Sequence, residues 1–181
     1  ITWLLPLTYS GVLVLYLTLL QLFPRIEGAA ITASTLSALT GIGGIIGTLL
    51  AIALAKCYTK RKPVIIISGV VMTASAFLMV KTTTPSIAVV AALVLGTFMF
   101  LPMTSLMLIP QELDNMTPSR LTAIMGVFWA LAYIIETIIF YLFGVLFDQT
   151  GSYSSSIMIA VILSLSFVIG GFFLPETGKD K

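Results

Sequence analysis

Six long apolar runs, each close to the length that crosses a bilayer, limit what this chain can fold into. A helix that spans the hydrocarbon core needs roughly 20 apolar residues. Runs of that kind fall at about 3–23, 31–55, 63–80, 86–109, 120–146 and 154–174. Turn-forming stretches separate them: "FPRIEG", "KCYTKRKP", "KTTTP", "PQELDNMTP" and "DQTGSY", with "PETG" closing the sixth. Inside lipid every backbone polar group must be satisfied within the segment, so such runs are read as helices. The short connections make neighbouring helices antiparallel and leave no room for a domain outside the membrane. The expected fold class is an all-α membrane protein, with six transmembrane helices in a single domain covering 1–181.

Composition agrees with that reading. Of the 181 residues, 59% are hydrophobic and only 9% are charged, whereas a soluble domain carries about 25% charged residues. Too few polar side chains exist to cover a water-facing surface, so the solvent for most of the chain is lipid. This places the chain as a multi-pass integral protein of a cell or cytoplasmic membrane, with no nucleic-acid partner. A single cysteine, Cys57, and no histidine remove several chemistries together. No disulfide forms within the chain, and no histidine-based metal site, general base or Ser–His pair exists. A six-span intramembrane serine protease is thereby excluded, an enzyme is the weakest class, and no cofactor is expected. Cys57 reads as an incidental residue at the membrane edge. The chain opens on Ile1, at the edge of an apolar run, with no signal-peptide pattern; it reads as one piece of a longer protein.

Lys and Arg set the expected direction. Lys56, Lys60, Arg61 and Lys62 lie in the loop after the second run, and Arg120, Lys179 and Lys181 fall on the same side. Only Arg25 and Lys81 fall on the other. Seven against two puts the first group, and both termini, in the cytoplasm. Six spans of this sidedness divide into two triplets of opposite direction. That topology permits the two inverted three-helix repeats found in transporters, although no residue-level match joins the triplets.

Helix periodicity singles out particular faces. In the second run Ser34, Ser37, Gly41, Gly44, Thr48, Ala51 and Ala55 alternate spacings of three and four and so share one face. Gly43 and Gly47 add a GxxxG pair alongside. Gly41, Gly44 and Gly47 are the expected helix-packing residues, because small side chains let backbones approach closely in lipid; a sliding surface against a second bundle is the alternative use of this face. Tyr9 and Tyr16, seven apart on the first run, share a face that suits hydrogen bonding into a cavity. The fourth run carries Gly96, Pro102, Thr104 and Ser105. Pro102 removes one helical hydrogen bond and clashes with the Phe98 carbonyl, so a kink, a hinge or a cavity-lining break is expected there. The third and sixth runs carry only small polar residues among apolar ones and read as lipid-facing.

In the fifth run Gly126, Trp129, Tyr133, Glu136 and Phe140 form a stripe. Glu136 is the only charged side chain between Arg120 and Asp148. Sixteen residues past Arg120, it lies about 24 Å along the helix axis, within the hydrocarbon. An ionised carboxylate costs on the order of 2.5–3.5 kcal/mol there. No Lys or Arg lies inside a run at that depth, so Glu136 is protonated, faces water, or pairs with a group outside these residues. Intramembrane carboxylates mark substrate or proton pathways; the competing reading is a neutral acid bonded to Tyr133, Thr137 or a backbone carbonyl as packing glue. Glu136, Tyr133, Trp129, Tyr9 and Tyr16 are the expected substrate and proton pathway.

The last two runs resemble the closing helices of major facilitator superfamily transporters. The resemblance rests on Arg120 opening a helix that soon holds Gly126, on "G-x-x-x-D-x-T-G-S-Y" (Gly144, Asp148, Thr150, Gly151, Ser152, Tyr153), and on "P-E-T-G" (Pro175 to Gly178). With six spans and cytoplasmic ends, the whole chain is similar to the C-terminal half of such a protein. The family's basic loop between second and third helices, "G-x-L-A-D-R-x-G-R-R", reads here "IALAKCYTKRK": Leu54, Ala55, Lys60 and Lys62 suit it, while Ile52 and Lys56 replace its Gly and Asp. The resemblance implies that spans one, two, four and five face a central cavity, that three and six face lipid, and that the path lies against an N-terminal six-helix half or a second copy. "LPETG" also spells a sortase signal, but only "KDK" follows where such a signal needs a hydrophobic stretch, so that reading is rejected.

These observations lead to a secondary active transporter moving a small polar solute by alternating access, with proton symport through Glu136. The alternative is a non-transporting six-span receptor or assembly scaffold. A channel is disfavoured because no filter-like loop or charge ring occurs.

Overall fold

A computed structural model describes residues 1–26 and 28–178. Glu27, and the Lys179 and Lys181 counted on the basic side, lie outside the described residues. All six expected spans are helical. They are α1 (Leu4–Gln21), α2 (Ala33–Cys57), α3 (Lys62–Lys81), α4 (Pro85–Gln111), α5 (Pro118–Thr150), and a sixth span made of α6 (Ser154–Leu163) and α7 (Leu165–Phe173). A 3-10 turn, Phe23–Arg25, follows α1 with Pro24 in its first positions. No strand occurs among the described residues.

Local chemistry sets the helix ends. Thr32 caps α2, its Oγ1 accepting the Thr35 N–H at 3.3 Å, and Thr117 caps α5 by accepting the Arg120 N–H at 3.3 Å. Prolines occupy the first turn of α3, α4 and α5, where their missing N–H costs nothing. Gly151 ends α5 in the left-handed conformation, φ 68°, which a glycine adopts without a steric penalty. With a cap at each end, α5 runs over Pro118–Thr150, 33 residues, beyond the expected 120–146 on both sides. That is about 50 Å of helix, so its ends project past the hydrocarbon.

The helix assignments differ between α4 and the sixth span. α4 continues as one helix through Pro102 and Pro110. The sixth span is the broken one. Its break falls at Ser164, whose hydroxyl bonds the Val161 carbonyl at 2.6 Å and lies 2.7 Å from the Thr73 hydroxyl of α3. A hydroxyl that bonds back into its own turn competes with the helical ladder, and the Phe167 N–H duly turns to the Ser164 carbonyl, three residues back, at 3.1 Å.

The helices pack in a row: α2 on α4, α4 on α3, α3 on the sixth span, the sixth span on α1, and α1 on α5. Exchanging the triplet α1–α2–α3 for α4–α5–α6/α7 leaves this neighbour map unchanged. The pair α2–α4 maps onto α5–α1, α3–α4 maps onto the sixth span with α1, and α3 with the sixth span maps onto itself. That symmetry is the pattern of a two-repeat transporter domain.

Backbone contact holds the inner part of the row. A methyl group on Gly43 would stand 2.5 Å from the Leu93 carbonyl oxygen, one on Gly96 would stand 2.5 Å from that of Thr40, and one on Gly47 would run into that of Thr97. At the other join, Gly11 lies against the Leu163 carbonyl and Gly170 against the Thr8 hydroxyl. Lipid supplies no hydrophobic drive between helices, so close approach and dispersion carry this association. Fully buried Leu5, Leu15, Leu36, Ile65, Met72, Leu95, Phe128 and Phe167 fill the interior. α2 and α5, at the two ends of the row, are the barest spans: Ile45, Leu49 and Tyr141 are 65%, 63% and 72% exposed. α3 and the sixth span occupy the middle, each with one packed face (Met72, Ile157) and one bare face (Val70, Phe172).

Candidate functional site: an aromatic groove between α1, α4 and α5

The join between α1 and α5 is built from rings rather than glycines. Tyr9 packs against Phe128 with centroids 5.5 Å apart and meets Trp129 edge-on at 5.9 Å. Trp129 in turn stacks on Tyr133 at 5.9 Å; the two are four residues apart on α5 and so share a face. Across the groove, Tyr16 meets Phe100 of α4 edge-on at 6.3 Å. Such tilted and edge-on geometries suit the ring quadrupoles.

Tyr9, Tyr16, Phe100, Trp129 and Tyr133, with Val12, Leu13, Met99 and Met103, line a groove of about 300 Å³. It brings together four of the five expected pathway residues: Tyr9, Tyr16, Trp129 and Tyr133. Their polar atoms make no hydrogen bond to any described residue, and no charged side chain lines the groove. The wall is therefore apolar rings with hydrogen-bonding groups left free, an arrangement suited to a small neutral ligand with both C–H faces and hydroxyls.

Glu136 lies outside this lining. It sits three residues past Tyr133, about 4.5 Å further along α5, and is partly exposed. Its carboxyl takes part in no hydrogen bond or ion pair among the described residues. The Thr137 hydroxyl, an expected partner, turns back to the Tyr133 carbonyl at 2.8 Å.

The three expected packing glycines of α2 separate. Gly47 lies against the α4 backbone, Gly44 faces the Phe100 ring at 3.0 Å, and Gly41 looks into open space. Exposed Ser34, Ser37 and Thr48 continue that open face. α2 therefore turns Gly43, Gly44 and Gly47 toward α4 and leaves Ser34, Ser37, Gly41 and Thr48 of the small-residue stripe bare.

Sequence reasoning missed two features. One is Phe100 with Met99 and Met103, the α4 wall of the groove. Their three- and four-residue spacing from Gly96 is the signal that marks this wall. The other is a polar network at the basic end. Arg61 donates to both Glu112 carboxylate oxygens, at 2.7 Å from its terminal nitrogen and 3.3 Å from Nε, and the Thr177 hydroxyl donates to Glu112 at 2.7 Å. Glu176 accepts the backbone N–H groups of Arg61 at 2.6 Å and Lys62 at 3.1 Å, a carboxylate at the favourable positive end of α3. Lys62 Nζ donates to the Phe172 carbonyl at 2.9 Å. Thus Arg61 supplies a salt-bridge latch although Lys56 replaces the family's Asp, and the "PETG" tail is tied to α3 and α4. The hydrogen bond from Arg61 holds the Glu112 carboxyl below the usual carboxylate range, partial burial working against it and Thr177 adding to it.

Six apolar spans whose two triplets exchange, with an aromatic groove between α1, α4 and α5, define a membrane transporter domain. The family model of the sugar (and other) transporters matches residues 14–179. The chain belongs to that family, within the major facilitator superfamily, and the family is one of transporters and not of enzymes. No curated protein matches the chain.

Proposed function

We propose that the chain forms one half of a secondary transporter that moves a small, neutral, polyhydroxylated solute, such as a sugar, by alternating access. The observation that carries this reading is the convergence of Tyr9, Tyr16, Trp129 and Tyr133 on one groove with their polar atoms unpaired. Rings stack on the C–H faces of such a solute, and the free O–H and N–H groups bond its hydroxyls. The absence of charge from the groove wall favours a neutral solute; an anionic one needs cations supplied from elsewhere.

The bare faces of α2 and α5 accommodate a second six-helix half, or a second copy, which completes the site from the opposite side and makes a twelve-span protein. Both termini then lie in the cytoplasm, following the Lys and Arg bias. The ties among α3, α4 and the tail support motion of this half as one rigid body. Proton symport is assigned to Glu136, an acid one turn from the groove with no cationic partner among the described residues.

The test is uptake by the full-length protein in proteoliposomes, using a panel of labelled sugars with and without an inward proton gradient. A gradient-driven, saturable uptake that Glu136→Gln uncouples, leaving equilibrative exchange, is expected. Uptake that ignores the gradient removes the symport assignment; no uptake of any neutral polyol removes the solute class.

A further inference from the structure

The bundle carries a second recess, at its basic end and away from the groove. It measures about 280 Å³, lies between α2, α3 and α4, and its walls are nearly all apolar, including Leu54, Ile67, Phe98 and Leu101. Ile67 is 59% exposed, so the recess opens on the face that meets lipid. Pro63 and Tyr58 stand toward its loop end; Tyr58, 38% exposed, is the ring type that sits at headgroup level.

The α2–α3 stretch beside this recess is cationic. Of the four cations in the α2–α3 stretch, Arg61 is held by Glu112 and Lys62 by the Phe172 carbonyl. Lys56 and Lys60 are exposed and have no hydrogen-bond or ion-pair partner among the described residues. No Asp or Glu occurs from residue 28 to Gln111, so none of the three helices around the recess offers a carboxylate. The nearby Glu112 and Glu176 are already engaged.

We propose that this recess is a binding site for an anionic glycerophospholipid of the leaflet at the basic end, with an acyl chain in the slot and the headgroup phosphate between Lys56 and Lys60. Apolar walls facing hydrocarbon admit a chain that is already dissolved there, which no water-borne ligand matches. Lys56 and Lys60, unpaired among the described residues, select a net negative charge, which a zwitterionic lipid lacks. The site is independent of the transported solute. Its occupant joins the end of α2 to the start of α3.

Native mass spectrometry of the full-length protein in detergent tests the site, with dioleoyl phosphatidylglycerol and dioleoyl phosphatidylcholine as probes of identical chains. Phosphatidylglycerol is expected to bind more tightly. Lys56→Gln and Lys60→Gln each lower its affinity by about fivefold, and together by about 25-fold, with phosphatidylcholine unchanged. Ile67→Trp, which fills the slot, lowers binding of both lipids, whereas Lys81→Gln at the opposite end changes neither. Thermal midpoints without lipid show that the lysine variants fold. Equal binding of the two lipids, insensitivity to the double lysine change, or a Lys81→Gln effect as large as that of Lys60→Gln overturns the proposal.

Discussion

The Tyr16 ring of α1 meets the Phe100 ring of α4 edge-on, with centroids 6.3 Å apart. The contact joins the first helix of one triplet to the first helix of the other. The Tyr16 hydroxyl is left free, so ring and oxygen are separable: the ring packs on Phe100, and the oxygen is the group proposed to meet the solute. Tyr16→Phe is expected to keep the thermal midpoint and raise KM for the transported solute by about tenfold, the loss of one hydrogen bond. Tyr16→Ala loses both ring contact and hydroxyl. Uptake kinetics and thermal unfolding measured on the same preparations check the separation.

The α2 glycines give opposite expectations within one helix. Gly47→Ala drives a methyl group into the Thr97 carbonyl, so it forces α2 from α4 and lowers stability by about 1–3 kcal/mol. Gly41→Ala meets open space and leaves the fold intact, with any effect confined to transport through the bare face. Thermal unfolding in detergent distinguishes the two, and a matching loss in both variants contradicts the packing described.

Glu112 sets a pH dependence. Its carboxyl is held below the usual range by the Arg61 hydrogen bond, so the folded state favours the ionised form. The stability this contributes is fully present above the ordinary carboxylate range and is lost as pH falls through the lowered value. Wild type is expected to exceed Glu112→Gln by about 1–2 kcal/mol at neutral pH, with the difference closing on acidification. A gap between their thermal midpoints that is constant from neutral to strongly acid pH contradicts this.

At the break in the sixth span one interhelical bond, 2.7 Å long, joins Thr73 to Ser164. Thr73→Val removes the α3 partner while keeping its shape. The expected cost is about 0.6 kcal/mol, the average for such bonds inside membranes. Faster amide exchange around Ser164, with α4 unaffected, is the local signature to measure.

The six spans were legible because each is a long apolar run, and lipid leaves such a run one way to satisfy its backbone. The groove aromatics were legible in part. Tyr9 and Tyr16 share a face by spacing, as do Trp129 and Tyr133, and periodicity within a helix is local. What periodicity lacks is the partner. Nothing in the spacing of α2 says that Gly43 and Gly47 meet α4 while Gly41 meets nothing, because that depends on how the helix is rotated against its neighbour.

Composition and periodicity were enough to set the number of apolar spans, the basic end and the tyrosines and tryptophan that share a face. Hydropathy and charge act residue by residue, so they can be read from a string. Packing between helices is what brings α1, α4 and α5 to one groove, leaves Glu136 beyond its lining and lets Arg61 reach Glu112. Those outcomes follow from helix order, rotation and close backbone approach between segments far apart in the chain. They are properties of pairs of helices, which no single run encodes.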